Sequence, residues 1–257
     1  MAQVPDLPDA CYAGPHTVAM PGQLLFTLPG TGRFLSRDGA LIEFAPEAGA
    51  DQGMVKLFLN GTARGALIHQ RGELPLHAAT LVPPHGGGAI AICGFSGAGK
   101  STLAAELSRR GWLLVADDTT RVTWDGARAL AWPSRDSIKL WRDACEAAGL
   151  ACSMLERVTL DLDKYYVRVP ALDEAAPLAT IVELVADAKA GAAASAGERM
   201  ALLSRNTYRP KHILPLGMQK QHVQILSQVA SVCSMLQLCS RSEPAGRLAD
   251  KIEAMLR

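Results

Sequence analysis

Apolar and polar positions alternate in short runs through the first quarter of the chain. Runs at 24–28, 33–35, 41–44 and 55–59 are parted by Gly and Pro clusters, a pattern that predicts a small β-rich unit. Residues 1–20 are Pro-rich and aperiodic, which suits a flexible arm or an edge wrap. A helix is expected over 59–72, weakened by Gly61 and Gly65. In the centre, 77–82 and 89–93 read as strands joined by the turn Pro83-Pro84-His85-Gly86-Gly87-Gly88. A helix over 101–110 stops at Gly111, and a strand over 112–116, with Trp112 as a core residue, ends at Asp117-Asp118. Runs at 121–124 and 129–132 flank Asp125-Gly126 and predict a hairpin. A helix over 136–149, strands over 165–169 and 180–185, an Ala/Gly/Ser-rich linker at 188–197 and helices over about 219–236 and 246–256 follow. The expected division is a small β-rich N-terminal unit at 1–75 and an α/β core with C-terminal helices at 76–257.

Composition narrows the classes. Hydrophobic residues make up 49% of the 257 and charged residues 20%, enough apolar surface to offset chain entropy, so disorder of the whole chain is excluded. Lys and Arg total 26 against 25 Asp and Glu, a net charge of +1. A general nucleic-acid binder carries a basic face and a high pI, so no nucleic-acid partner is expected. No apolar run reaches 18 residues, so no membrane span is expected. The start MAQVPDLPDACYAG lacks the basic-then-apolar order of a secretory signal, and a cytoplasmic location is expected. Cys11, Cys93, Cys145, Cys152, Cys233 and Cys239 form no C-x-x-C pair and read as reduced thiols.

The segment Gly94-Phe95-Ser96-Gly97-Ala98-Gly99-Lys100-Ser101 fits G-x-x-x-x-G-K-[ST] at every fixed position, between an expected strand and an expected helix. The glycines let backbone N–H groups converge on phosphate oxygens, and the helix N-terminus adds partial positive charge. Candidate nucleotide-binding residues are therefore Gly94, Ser96, Gly97, Ala98, Gly99, Lys100, Ser101 and Thr102. Lys100 is suited to the β/γ-phosphates and the Ser101 hydroxyl to Mg²⁺.

Two geometric estimates extend the site. A helix over 101–110 travels about 15 Å away from the loop. A strand over 112–116 returns about 16 Å. A parallel return thus brings Asp117 and Asp118 back beside the loop. One carboxylate there can support a metal and the other can accept a proton from an attacking hydroxyl. Antiparallel pairing about a turn centred between His85 and Gly86 puts His77 opposite Gly94, where it can orient or balance an Asp. The remaining histidines read as turn, surface or packing residues.

Leu76-His77-Ala78, the loop GFSGAGKST and Leu114-Val115-Ala116-Asp117-Asp118 together resemble the HPr serine kinase family, including its compact members that act as lasso-peptide precursor kinases. The specific motifs span 70–125. Looser likeness extends to Gly32-Arg33-Phe34-Leu35, Leu67-Ile68-His69-Gln70-Arg71-Gly72, Ile138-Lys139-Leu140-Trp141, Lys164-Tyr165-Tyr166-Val167 and Asn206-Thr207-Tyr208-Arg209-Pro210. The resemblance implies an HPr-kinase-type P-loop core with a mixed β-sheet and flanking helices. It implies ATP and Mg²⁺ as cofactors, and a Ser hydroxyl on a peptide or small protein as acceptor. Carried over by motif, Asp117 matches the general base, His77 the catalytic-site His, Lys100 the loop Lys and Ser101 the metal-ligand Ser, with Asp118 assigned to metal support. The family's assemblies leave a homo-oligomer open.

Departures from the family accompany the likeness. Thr102 stands where full-length members have Glu, the second family signature is absent, and only 76 residues precede His77. These favour a compact kinase with an acceptor other than the phosphocarrier. A phosphocarrier kinase, a small-molecule kinase and a non-catalytic ATP-binding module remain the alternatives. Arg205, Arg209 and Lys211 read either as a phosphate or carboxylate clamp or as a solvated turn. Lys139 and Trp141 read either as groove residues or as one face of an amphipathic helix, and Lys164 is equally open.

Overall fold

A computed structural model describes residues 4–186, 191–192 (backbone only), 195–241 and 243–256. Five strands open the chain as an antiparallel meander in sequential order: β1 (Tyr12–Ala13), β2 (Thr17–Met20), β3 (Gln23–Leu28), β4 (Gly32–Arg37) and β5 (Leu41–Pro46). Phe26 and Phe34 stack at 4.8 Å on its inner face, against Val55, Ala63 and Ala66 of the helices that follow. Those helices are α1 (Gln52–Phe58) and α2 (Arg64–Gln70), joined through a π-helical turn at Leu59–Ala63. The run 55–59, expected as part of the β-rich unit, is therefore helical up to and through the π turn. Asp51 caps α1 by accepting the Gly53 N–H at 2.8 Å, and a capped start outweighs the β preference of a five-residue run.

The main sheet is mixed and nine-stranded among the described residues. Its central path runs β6 (Leu74–Leu76), β10 (Thr120–Trp124), β11 (Ala129–Trp132), β15 (Ala176–Val185), β8 (Ala89–Gly94), β7 (Ala79–Val82) and β9 (Leu113–Ala116). On β15 also lies β17 (Ser234–Cys239), parallel to it, and β16 (Gly191–Ala192) pairs β17. Helices cover both faces. One layer holds α3 (Lys100–Arg109) and α7 (Ala245–Ala254), packed on Ile90, Ile92 and Val182. The other holds α5 (Ala196–Arg205) and α6 (Gln219–Val232), packed on Ala89, Ala91 and Cys93. Every residue of β8 is buried, which is why its sequence AIAICG is an unbroken apolar run and not an alternating one. A mixed α/β fold is thus observed.

A smaller three-stranded sheet of β12 (Ser137–Trp141), β14 (Lys164–Arg168) and β13 (Glu156–Arg157) packs beside α3, with the short helix α4 (Arg142–Ala147) after β12. The single helix expected over 136–149 is corrected here. Ser137-Ile138-Lys139-Leu140-Trp141 alternates with period two, and Ile138 and Leu140 enter the core while Lys139 faces the other way. The helix expected over 219–236 ends at Val232, and β17 was not anticipated. The linker expected at 188–197 falls partly on residues outside those described. Its described parts are β16 and Ser195, which caps α5. The six cysteines are unpaired. No helix of the described residues is long and apolar enough to cross a membrane.

Three histidines expected as surface or packing residues sit together inside the molecule. His69 of α2 donates from Nε2 to the Tyr208 carbonyl at 2.8 Å, and its ring lies 6.1 Å from that of His222 on α6. Burial lowers all three, His69 to about 4 and His212 to about 3. The unfolded chain takes up protons on these rings near pH 6.5, while the folded one holds them neutral. The unfolded state therefore binds more protons between pH 6.5 and 4, so stability falls as the pH drops through that window. Thermal melts should show this fall, with a shallower slope in His212→Gln. Equal slopes in both proteins contradict it.

Candidate active site

The phosphate loop is drawn tight by its glycines. At Gly94, φ is +139° and an added Cβ would lie 2.6 Å from the Leu184 carbonyl, so strand β8 can end against β15 only with glycine there. Gly99 is left-handed at φ +91° and opens α3, whose first amides face back into the loop. Ser96 and Gly97 are exposed and Ala98 is buried. Lys100 is almost wholly buried and donates to the carbonyls of Gly94 at 2.7 Å and Phe95 at 3.1 Å, and burial lowers its pKa. Thr102 is exposed, and Ser101 is half-buried one residue before it.

The strand–helix–strand return occurs as the spacing predicts. Strands β8 and β9 are both antiparallel to β7, hence parallel to each other, with β7 between them. Asp117 and Asp118 follow β9, and the Ser101 hydroxyl donates to Asp117 Oδ1 at 3.2 Å. The β7–β8 register, Ala79 with Ile92 and Leu81 with Ile90, is the one that extends to His77 opposite Gly94. The His77 Nδ1–H donates to the Asp118 carbonyl oxygen at 2.8 Å.

The two carboxylates differ in their electrostatics. Burial raises the pKa of Asp117, only partly offset by Lys139, whose backbone N–H donates to Oδ2 at 3.0 Å. Burial also acts to raise Asp118, but the Lys139 ammonium at 2.6 Å, with help from His77 and Lys164, brings it below the usual value. Lys139 itself is raised: its burial is outweighed by Asp118 and Asp117. Burial and Lys100 lower the pKa of His77 and favour the neutral ring, against the pull of Asp118 toward the protonated one. Asp118 holds φ at +71°, a conformation that costs an L-residue about 1 kcal/mol and that its ties to Lys139 and His77 maintain.

A second network fixes the loop from the other side. Asn206 Oδ1 accepts the Gly94 N–H at 3.1 Å, and its amide donates to Glu183 Oε1 at 2.7 Å. Glu183 is 4% exposed in mid-β15 and also accepts from Arg205 and from Gln237 at 2.8 Å. Arg205 is thus committed to this buried acid. Arg209 lies over the Tyr208 ring at 5.6 Å and lines one cleft with Arg205, His77, Gly94 and Phe95, whereas Lys211 is exposed and is not among the residues that line it. Lys164 sits over the exposed Trp141 ring at 5.2 Å. Trp112 is buried, as expected.

His77, Lys100, Ser101, Asp117 and Asp118 therefore come together. Sequence reasoning missed Asn206 and Glu183, and left Lys139 unresolved. The signals for Lys139 were its place in a period-two run and the loose family likeness of Ile138-Lys139-Leu140-Trp141. For Mg²⁺ the donor set fits: a hydroxyl and a carboxylate oxygen 3.2 Å apart are hard oxygen ligands of the kind that ion takes with water and phosphate. No group of three or more His, Cys, Asp or Glu among the described residues forms a cage for another metal.

No family model matches the chain, and no curated protein matches it. Among solved structures, the chain is similar to the Hpr(Ser) kinase/phosphatase from Coxiella burnetii, at 16% identity and a TM-score of 0.38, over 71% of this chain and 93% of that one.

Replacing Asn206 by Ala leaves the buried Gly94 N–H without a partner and removes one donor from Glu183. A loss of about 2 kcal/mol is expected in urea unfolding, together with weaker nucleotide binding. Wild-type stability in Asn206→Ala would remove Asn206 from the loop's support.

Proposed function

We propose that this protein is an ATP-dependent kinase that phosphorylates a Ser hydroxyl on a peptide or small protein. The reading rests on the contact of Ser101, next to the loop Lys, with Asp117 at the end of the returning strand. The raised pKa of that carboxylate suits it to take a proton, a task that a module that only binds nucleotide does not have. The choice of Ser and of a peptide acceptor follows from the motif resemblance.

In this reading the loop amides and the N-terminus of α3 hold the phosphates, and Lys100 exchanges its loop carbonyls for them. The Ser101 hydroxyl would hold Mg²⁺, which when bound supplies neutralising charge at the phosphates; Asp118, expected in metal support, is held by the Lys139 ammonium instead. Asp117 accepts the proton of the acceptor hydroxyl, as its oxygen forms the bond to the γ-phosphorus and ADP leaves. Its raised pKa makes it the better base of the pair. Asp118 stays ionised and anchors Lys139. His77, neutral and donating to the Asp118 carbonyl, keeps the turn between the two acids in place.

The test is phosphoryl transfer from labelled ATP to Ser-containing peptides and small proteins. Asp117→Asn should lower kcat by about 10²–10⁴-fold with nucleotide affinity largely kept. Because the ionised form of Asp117 is disfavoured in the fold, the same change should raise Tm at pH 7. That gain should disappear at acid pH, where the carboxyl is protonated in folded and unfolded chains alike. Tight ATP binding with no transfer to any acceptor would point to a regulatory module. Near-wild-type turnover in Asp117→Asn would remove it as the base.

A further inference from the structure

A cleft touches the Asp pair without touching any residue of the phosphate loop. It is lined by Asp117, Asp118 and Lys139 and also by Lys56, Arg64 and Arg135. Both carboxylates are already engaged, Asp117 by Ser101 and the Lys139 amide, Asp118 by the Lys139 ammonium and His77. Lys56 is exposed and 3.9 Å from Glu156.

Arg64 and Arg135 are different. Among the described residues neither has a carboxylate partner. Arg64 is half-buried, and burial together with Arg121, Arg135 and Arg71 lowers its pKa. The neighbouring cations have their own partners: Arg121 makes two 2.7 Å bonds to Glu73, and Arg71 donates to the Gly39 carbonyl. Arg135 only covers the face of Tyr166, at 5.3 Å. Placing two guanidinium groups beside one another, one of them half-buried, with no carboxylate paired to either is unfavourable for the fold alone. A guanidinium is also the side chain whose fork matches carboxylate and phosphate oxygens.

We infer that this cleft is an acceptor subsite in which Arg64 and Arg135 bind an anionic group, carboxylate or phosphate, carried by the acceptor near its reacting hydroxyl. The inference rests on the kinase reading for the word acceptor, and on the cleft's own residues for the anion. Asp117 lines the cleft and contacts Ser101, so an acceptor anchored there presents its hydroxyl to the base from the side away from the loop. Neutral acceptors would lack this anchor.

The experiment uses the full chain saturated with Mg²⁺ and a non-hydrolysable ATP analogue, so that the loop is already filled. Sodium phosphate and sodium acetate are titrated separately, with sodium chloride at matched ionic strength as control. Binding is read from the arginine Nε–Hε resonances. At least one of the two anions should bind saturably, and Arg64→Gln and the exposed-site variant Arg135→Gln should each weaken it tenfold or more. Saturation by phosphate alone identifies a phosphorylated acceptor, and by acetate alone a carboxylate-bearing one. No saturable response beyond chloride overturns the inference, as does undiminished binding in both folded variants. It is also overturned if the analogue by itself shifts Arg64 and excludes both anions, since the cations then belong to the nucleotide. Because this readout needs no turnover, failure of the kinase reading in Asp117→Asn leaves the titration interpretable, and failure of the titration leaves the base assignment standing.

Discussion

The site depends on one buried acid in the middle of the sheet. Glu183 sits in the strand beside β8, where an ionised carboxylate is tolerable only if its oxygens are filled with donors. Arg205, Asn206 and Gln237 fill them, and in doing so draw the end of α5 and the start of the following loop onto the sheet. Asn206 then has its carbonyl oxygen free to receive the Gly94 N–H. The next residues run antiparallel to 75–77, with the His77 N–H on the Asn206 carbonyl and the Tyr208 N–H on that of Pro75. The phosphate loop and His77 are therefore located by the same segment, through a charge that neither touches.

A second arrangement of charge separates two adjacent aspartates that the sequence cannot distinguish. Lys139 gives its backbone N–H to one and its ammonium to the other. An ammonium at 2.6 Å outweighs the cost of burying Asp118, whereas the charge of the same ammonium without a direct ion pair, together with one amide hydrogen bond, does not cancel it for Asp117. One residue on one strand thus leaves a carboxyl ready to take a proton beside one that stays charged. The left-handed backbone at Asp118 serves the same end, since it turns the two side chains toward different partners.

The parts of this site that are local in sequence were legible in it. The loop pattern, the return of β9 and the β7–β8 register all follow from residues within about forty positions of each other, where element lengths leave little freedom. What was missed comes from farther along the chain or from short mixed segments. Asn206 lies 112 residues from Gly94, and the loose likeness of its segment carried no role for its side chain. The stretch 136–149 carries a strand pattern for five residues and then helix-forming Arg142-Asp143-Ala144-Cys145-Glu146-Ala147, and the second half masked the first. The run 234–239 follows α6 with a single intervening residue, so a composition reading carried the helix through it. Arg64 lay in a segment read only for its helix propensity.

The near-neutral balance of the chain hides how its charges are sorted. Many acids and bases pair with one another, as Arg110 does with Glu106, Asp250 and Glu253, and pairs near the surface contribute little to stability. The cations beside the Asp pair are arranged differently. Of the four that line the cleft, only Lys139 is closely paired, and its partner is one of the two acids there. A fold that satisfies Glu183 with three partners at its centre has the means to satisfy Arg64 as well. That it leaves two guanidinium groups facing a cleft at the reacting carboxylate is better explained by what enters the cleft than by what the fold requires.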